Sequence, residues 1–246
     1  MISPVDPNGP LGVLAEGWEG LRAAELLRRR LPLEDVHVVA DQSFAPYARR
    51  RPEAMNAHVA ELVALLDLQG AKAILLASAV LSFEARPLEQ GQPVRGLETG
   101  LRDALEQAAG RPIVAVIDST ELRPVMLAKT IRRLRGGGSV TLVERGSDHG
   151  PALVARARIA APEVAIVVLV TPAAFCDVVT IREAAEGIVV IDALDSAARH
   201  LVHDVRLRRL IAHRRRPGRV VPIAIRPSPG TSSAGLAGYA AARRPA

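Results

Sequence analysis

The segment LLASAVL, Leu75 to Leu81, is an apolar run that ends among small residues. Such a run reads as a buried parallel strand that delivers Ser78 to a crevice, where open α/β sheets place their ligands. A second run, Val164 to Val170, ends the same way at Thr171 and Pro172. Upstream of Leu75 the order is β-α-β-α-β. A strand at Leu11 to Ala15 turns at Glu16 and Gly17 into a helix from Trp18 to Arg30, which Pro32 closes. Val36 to Ala40 is the next strand, followed by the loop DQSFAPYA, Asp41 to Ala48. Pro52 opens a helix to Leu68 with Val59, Leu62, Val63 and Leu66 on one face, and Gly70 ends it.

A second set of units follows. Val94 to Leu97 is a weak strand, Gly100 to Ala108 a helix, and Ile113 to Ile117 a strand ending at Asp118, Ser119 and Thr120. Ser119 or Thr120 is expected to cap a helix reaching Arg133. Gly136, Gly137 and Gly138 form a turn that lacks the Lys-Ser/Thr of a phosphate loop. Val140 to Val143, Val164 to Val170 and Ile188 to Asp192 are strands. Gly150 to Ala160, Ala174 to Ala185 and Ala193 or Ser196 to His213 are helices. Val220 to Ile225 is a final strand that Pro222 consigns to a sheet edge. The whole predicts an α/β chain of helix-covered, largely parallel sheets.

The 246 residues suffice for two small domains, and with 49% hydrophobic but 2% aromatic residues the core is aliphatic. Apolar runs of this length are too short to span a bilayer, no secretion signal is evident, and the expected location is the cytoplasm, away from membranes. A single cysteine, Cys176, excludes an internal disulfide. The net charge of +6 is uneven: Val205 to Ala246 holds ten Arg and no acid, whereas the other 204 residues carry 22 Lys and Arg against 26 acids. Arg206, Arg208, Arg209, Arg214, Arg215 and Arg216 could therefore hold nucleic acid or an acidic protein, although a solvated basic tail explains them as well. The Gly-, Ser- and Ala-rich stretch from 228 to 246 reads as a flexible basic tail.

Several side chains are candidates for chemistry. Ser78 at its strand end reads as a hydrogen-bonding group; no nucleophile elbow surrounds it. Cys176, in AFCDVV, reads as a small core residue or as a lone thiol near the crevice. Asp118, Ser119 and Thr120 either bind a polar ligand or serve the local backbone. His200 and His203, spaced i,i+3 with Asp204 beside them and Asp192 and Asp195 upstream, read as a solvated helical face before they read as a metal site.

The order of motifs resembles the aspartate/glutamate racemase superfamily, glutamate racemases in particular. LGVLAEGWEGL (Leu11 to Leu21) is similar to the family's opening strand and turn. ADQSFAPY (Ala40 to Tyr47), with Arg51, Pro52 and Glu53 after it, is similar to its substrate loop. AILLASAV (Ala73 to Val80) and VVLVTPA (Val167 to Ala173) are similar to the two cysteine strands, and VVIDALDSA (Val189 to Ala197) to the late strand and helix opening. The resemblance implies two pseudo-symmetric α/β lobes with a cleft between them: residues 1–93 with 204–227, and residues 94–203. It also implies cofactor-independent racemisation of an acidic amino acid by two opposed thiols, and often a homodimer.

At the positions matched to the thiols this chain has Ser78 and Val170, and two facing acid–base groups are what such chemistry needs. Around them, Ala15, Glu16, Ala79, Val80 and Pro172 stand where the family has polar side chains, and Thr171 is retained. The first functional expectation is therefore a catalytically degenerate, glutamate racemase-like binding or regulatory protein for a small acidic or amino-acid ligand, with Pro46, Tyr47, Ser78, Ser119, Thr120 and Thr171 as ligand-binding candidates. The alternatives are a cofactor-independent isomerase or lyase working through Glu16, Ser78, Asp118 or Cys176, and a module that binds through its Arg-rich end. No metal or cofactor is implied.

Overall fold

The computed structural model describes residues 5–84, 92–134 and 139–224. In chain order the elements are β1 (Leu11–Ala15), α1 (Glu19–Arg30), β2 (Val36–Ala40), a 3-10 turn (Tyr47–Arg49), α2 (Pro52–Leu68), β3 (Ala73–Leu76), α3 (Ala79–Glu84), β4 (Val94–Arg95), α4 (Glu98–Ala108), β5 (Ile113–Ile117), α5 (Pro124–Leu134), β6 (Val140–Glu144), α6 (Pro151–Ala160), β7 (Ile166–Leu169), α7 (Pro172–Phe175), α8 (Val178–Ala184), β8 (Val189–Asp192), α9 (Ala193–Leu207) and β9 (Val220–Ala224). Packing divides the described residues into two units, 5–78 with 92–94 and 198–224, and 79–84 with 95–134 and 139–197.

The first unit carries a sheet in the order β4-β3-β1-β2-β9, in which β1 pairs in parallel with β2 and β3, and β2 with β9. Every residue of the central β1 is buried, as a strand flanked on both sides and covered by helices must be. Gly20 lets α1 lie close on β1, because a Cβ there would come within 2.9 Å of the Ala15 Cβ. In α2, Pro52 occupies the first turn, where its missing N–H is not needed. Val59, Leu62, Val63 and Leu66 form its buried face, and Gly70 closes it at φ +74°. β9 lies at the sheet edge, which leaves Pro222 without a second neighbour to satisfy.

A buried ion pair fastens the segment between α9 and β9 to this sheet. Lys72 Nζ lies 2.5 Å from Glu34 Oε2 and donates to the Pro7 carbonyl at 2.6 Å, both side chains being almost fully buried. The second Glu34 oxygen accepts the Ala212 N–H at 2.8 Å. Distributing donors over both carboxylate oxygens is what makes such a burial tolerable.

The second unit carries an all-parallel sheet in the order β6-β5-β7-β8. β5 is buried along its whole length, and β7 likewise.

Several elements depart from the pattern read in the sequence. LLASAVL is not one strand: β3 ends at Leu76 and the run continues into α3 from Ala79. Both halves are buried, so their apolar character cannot show where strand becomes helix. β4 shrinks to two residues and β7 to four. The helix expected from Ala174 to Ala185 is two, α7 starting on Pro172 and α8 on Val178. α9 stops at Leu207 and not at His213; Arg209 then adopts φ +56°. Gly136 to Gly138, Ile225 and the 228–246 tail lie outside the described residues.

Candidate functional site

In a parallel sheet, ligands gather outside the carboxyl ends of strands where the winding direction reverses. In the first unit the chain runs from β1 outward to β2 on one side and returns to β3 on the other, so the reversal falls between β1 and β3. The residues just beyond those ends are Glu16 and Ser78. The Ser78 hydroxyl donates to Glu16 Oε1 at 2.5 Å, and the Tyr47 N–H donates to Glu16 Oε2 at 2.8 Å. No partner for Glu16 lies near it in the chain; the fold supplies two from 31 and 62 residues away.

Burial pushes the Glu16 pKa up, more than the bonds from Ser78 and Tyr47 pull it down, and the nearby Asp41 charge adds to the rise. Glu19, at the start of α1, is buried beneath the same turn. Its Oε1 accepts the N–H groups of Glu16 at 2.7 Å and Gly17 at 2.9 Å. Burial pushes its pKa up to about 7 despite those bonds. A carboxyl poised at that value can exchange a proton near neutral pH.

Asp41, directly after β2, is the hub of a second set of contacts. Its Oδ1 accepts from the Ser43 hydroxyl at 2.6 Å, and its Oδ2 from the Tyr47 hydroxyl at 2.8 Å. His58 Nε2 of α2 lies 2.5 Å from the same Oδ2. Burial alone would raise the Asp41 pKa, but donation from Ser43, His58 and Tyr47 holds it below the ordinary carboxylate value. Phe44 stacks on the His58 ring with centroids 4.2 Å apart, and the Arg50 guanidinium lies 4.5 Å from the centre of the Phe44 ring. Tyr47 is wholly buried, and burial together with Asp41 drives its hydroxyl pKa upward. Pro46, after a cis peptide bond, is exposed.

In the second unit the reversal falls between β5 and β7, which places Asp118 to Thr120 and Thr171 at strand ends. Asp118 Oδ1 accepts both the N–H (2.9 Å) and the hydroxyl of Thr120 (2.5 Å). The Ser119 N–H goes to Glu144 at 2.7 Å. Neither Ser119 nor Thr120 caps a helix, because α5 begins only at Pro124. Thr171 is buried, its Oγ1 lacking a hydrogen-bond partner among the described residues, and Val170 beside it is fully buried.

Cys176 is exposed, contrary to its reading as a core residue, because it falls in the break between α7 and α8. Its neighbour Asp177 accepts from Arg145 Nη2 at 3.0 Å and lies 3.1 Å from His149 Nδ1. Asp192 uses Oδ1 to accept the N–H groups of Leu194 and Asp195 at the start of α9. No group of three or more His, Cys, Asp or Glu among the described residues could hold a metal ion. Within the basic segment, Arg214 and Arg216 both pair with Asp35, and Arg206 donates to the Arg30 carbonyl. Arg216 and Arg214, with the Arg219 N–H, hold the Asp35 carboxyl well below its ordinary range despite partial burial. Part of the apparent basic patch is thus spent on the fold. Arg208, Arg209 and Arg215 are exposed. No described helix is long and apolar enough to cross a membrane.

The strand-end rule that singles out Ser78 also points to Asp41. Glu19 and His58 carry no comparable sequence signal, since each looks like one charged or polar residue on an amphipathic helix.

Two α/β units built on parallel sheets are the fold that this chain shares with solved glutamate racemases. No family model matches the chain. It is similar to the glutamate racemase of Ralstonia nicotianae, at 30% identity over 159 residues, covering 60% of this chain and 57% of that protein. It spans little more than half the length of the curated relatives it matches. Among solved structures it is similar to Thermus thermophilus glutamate racemase in complex with beta-chloro-D-alanine, with a TM-score of 0.71, 20% identity and 88% of each chain covered. Francisella tularensis glutamate racemase in complex with D-glutamate gives a TM-score of 0.71 at 18% identity, with 89% of this chain and 90% of that one covered.

Proposed function

We propose that this chain is a glutamate racemase-like binding protein for a small amino or carboxylic acid that does not carry out two-thiol racemisation. The observation that carries the reading is the Ser78–Glu16 hydrogen bond. At the β1/β3 reversal, a hydroxyl bonded to a half-buried carboxyl stands where the resemblance calls for a thiol. A serine hydroxyl is far too weak an acid to match a thiolate near neutral pH, and Val170, the counterpart on β7, carries no transferable proton. The sole cysteine, Cys176, is displaced to the α7–α8 break.

The test is incubation of the purified protein with D- or L-glutamate and D- or L-aspartate in deuterated water, followed by proton NMR and chiral chromatography, with calorimetry for binding. Saturable binding without Cα–H exchange or D/L interconversion is expected. Exchange above background that disappears in Cys176→Ala would overturn the reading.

A second reading has its own support in the raised pKa and burial of Glu16, which suit a one-sided acid–base group in an isomerase or lyase. Its signature is turnover that Cys176→Ala retains and Glu16→Gln loses.

A further inference from the structure

The opposite end of the first unit, where β2 and β9 begin, carries a surface of another kind. After α9 the chain from 208 to 219 runs beside the turn that links α1 to β2. Arg206 donates to the Arg30 carbonyl at 3.4 Å, the Ala212 N–H to Glu34 at 2.8 Å and the Gly218 N–H to the Pro32 carbonyl at 2.8 Å. Arg214 and Arg216 close the seam on Asp35. The outward side chains of the two segments therefore share one face. Three of them are large and apolar: Leu207 is 71% exposed, Leu33 40% and Ile211 38%. Around them Arg28, Arg209, Arg215 and Arg219 are exposed, and their guanidinium groups have no partner among the described residues. The nearby acids are already spent. Glu34 is buried against Lys72, Asp35 is held by two arginines, and Glu25 pairs with Arg29. From Val205 to Ala224 the chain has no acid at all. Single exposed apolar residues are ordinary, but three on one face ringed by unpaired charge of one sign ask for a partner.

We propose that this face docks on an anionic lipid surface. Leu207, Ile211 and Leu33 enter the headgroup layer, and Arg28, Arg209, Arg215 and Arg219 lie against its phosphates. A lipid surface supplies both partners in one layer, negative charge outside and acyl chains just beneath. Nucleic acid offers the phosphates but nothing apolar to cover the leucines, and the face has no aromatic ring on which a base could stack. Contact of this kind rests on the surface and needs no spanning helix. The face lies at the amino ends of β2 and β9, whereas Glu16 and Ser78 lie at carboxyl ends, so the docked chain keeps that site turned away from the lipid. The proposal does not depend on the reading of the β1/β3 site.

The experiment is co-sedimentation of the full chain with vesicles of phosphatidylcholine alone or with about one third phosphatidylglycerol, at about 0.05 and 0.5 M salt. The variants are Leu207→Ser and the double change Arg209→Gln with Arg215→Gln. Ile159→Ser and Arg182→Gln, exposed positions of the second unit, are the controls of matching chemistry. Expected is binding to the anionic vesicles at low salt, weakened about tenfold or more by high salt or by omission of phosphatidylglycerol. Leu207→Ser should weaken it about tenfold, and the double change about twentyfold, at about fivefold per arginine. Both controls should bind like the parent. No binding to anionic vesicles would overturn the proposal, as would equal binding to neutral ones. Indifference to Leu207→Ser would reduce the contact to bulk charge and also overturn it. So would tighter binding to a single-stranded oligonucleotide than to vesicles, or a dimer in sedimentation velocity that Leu207→Ser dissociates. Melting curves separate loss of fold from loss of binding, and the double arginine variant carries the test if Leu207→Ser unfolds.

Discussion

Replacing Glu19 by Gln isolates a carboxyl group that the fold holds in an unfavourable place. Its pKa is about 7 in the folded chain against an ordinary value of 4.5, mainly because it is 3% exposed. The folded state therefore binds this proton more tightly than the unfolded state does. Below about pH 4.5 the group is neutral in both states and its burial is fully tolerated. As pH rises from there to about 7 the unfolded chain ionises first, and stability is progressively lost; above 7 the loss is complete. At about 1.4 kcal/mol per pH unit, the gap is worth about 3 kcal/mol. Gln keeps the oxygen that accepts the Glu16 and Gly17 N–H groups while removing the ionisation. Urea unfolding at a series of pH values from 4 to 8 should show Glu19→Gln gaining about 3 kcal/mol over the parent across that window. Glu16 and Asp41 titrate in both proteins, so the difference between the two curves reports Glu19. Parallel curves, with no growing advantage for the variant between pH 5 and 7, would refute the reasoning. Glu19→Ala should behave differently, since it leaves both N–H groups without their acceptor.

Lys72→Met should cost about 3–5 kcal/mol in chemical denaturation, because it leaves Glu34 charged and buried. Adding Glu34→Gln should recover part of that loss, and a single variant within 1 kcal/mol of the parent would show the pair to be solvated. Asp35 has its pKa lowered by Arg216, Arg214 and the Arg219 N–H, so it contributes stability above its ordinary pKa near 3.8 that is lost as pH falls. Asp35→Asn should lower the melting temperature at pH 7, and its difference from the parent should shrink progressively as pH falls below about 3.8.

The parts of the fold legible in sequence are those where local chemistry is unambiguous. Pro52 and Gly70 frame α2, the all-apolar Ile113–Ile117 segment forms the buried β5, and Pro222 sits at the sheet edge. Where two buried elements adjoin, the pattern fails. Leu75 to Leu81 is apolar enough to be one element, yet it is divided at a change of direction, and periodicity cannot show such a division when both halves are covered. Ala174 to Ala185 is divided at Cys176 and Asp177, between the end of α7 and the start of α8. Cys176 reads as a core residue only if that segment is one helix, and the break exposes it.

The alternation of strands and helices is legible along the chain, since hydrophobic period and turn chemistry are local properties. So is the placement of Ser78 and Val170, not thiols, at the ends of two apolar runs. What those ends can do depends on contacts that form only on folding. Folding brings Glu16 to Ser78 and the Tyr47 N–H, which lie 62 and 31 residues away in the chain. The raised pKa values of Glu16 and Glu19 and the lowered one of Asp41 come from burial and from donors distant in the chain. Such shifts depend on distance and solvent access in three dimensions, and neither is written in the spacing of residues along a chain.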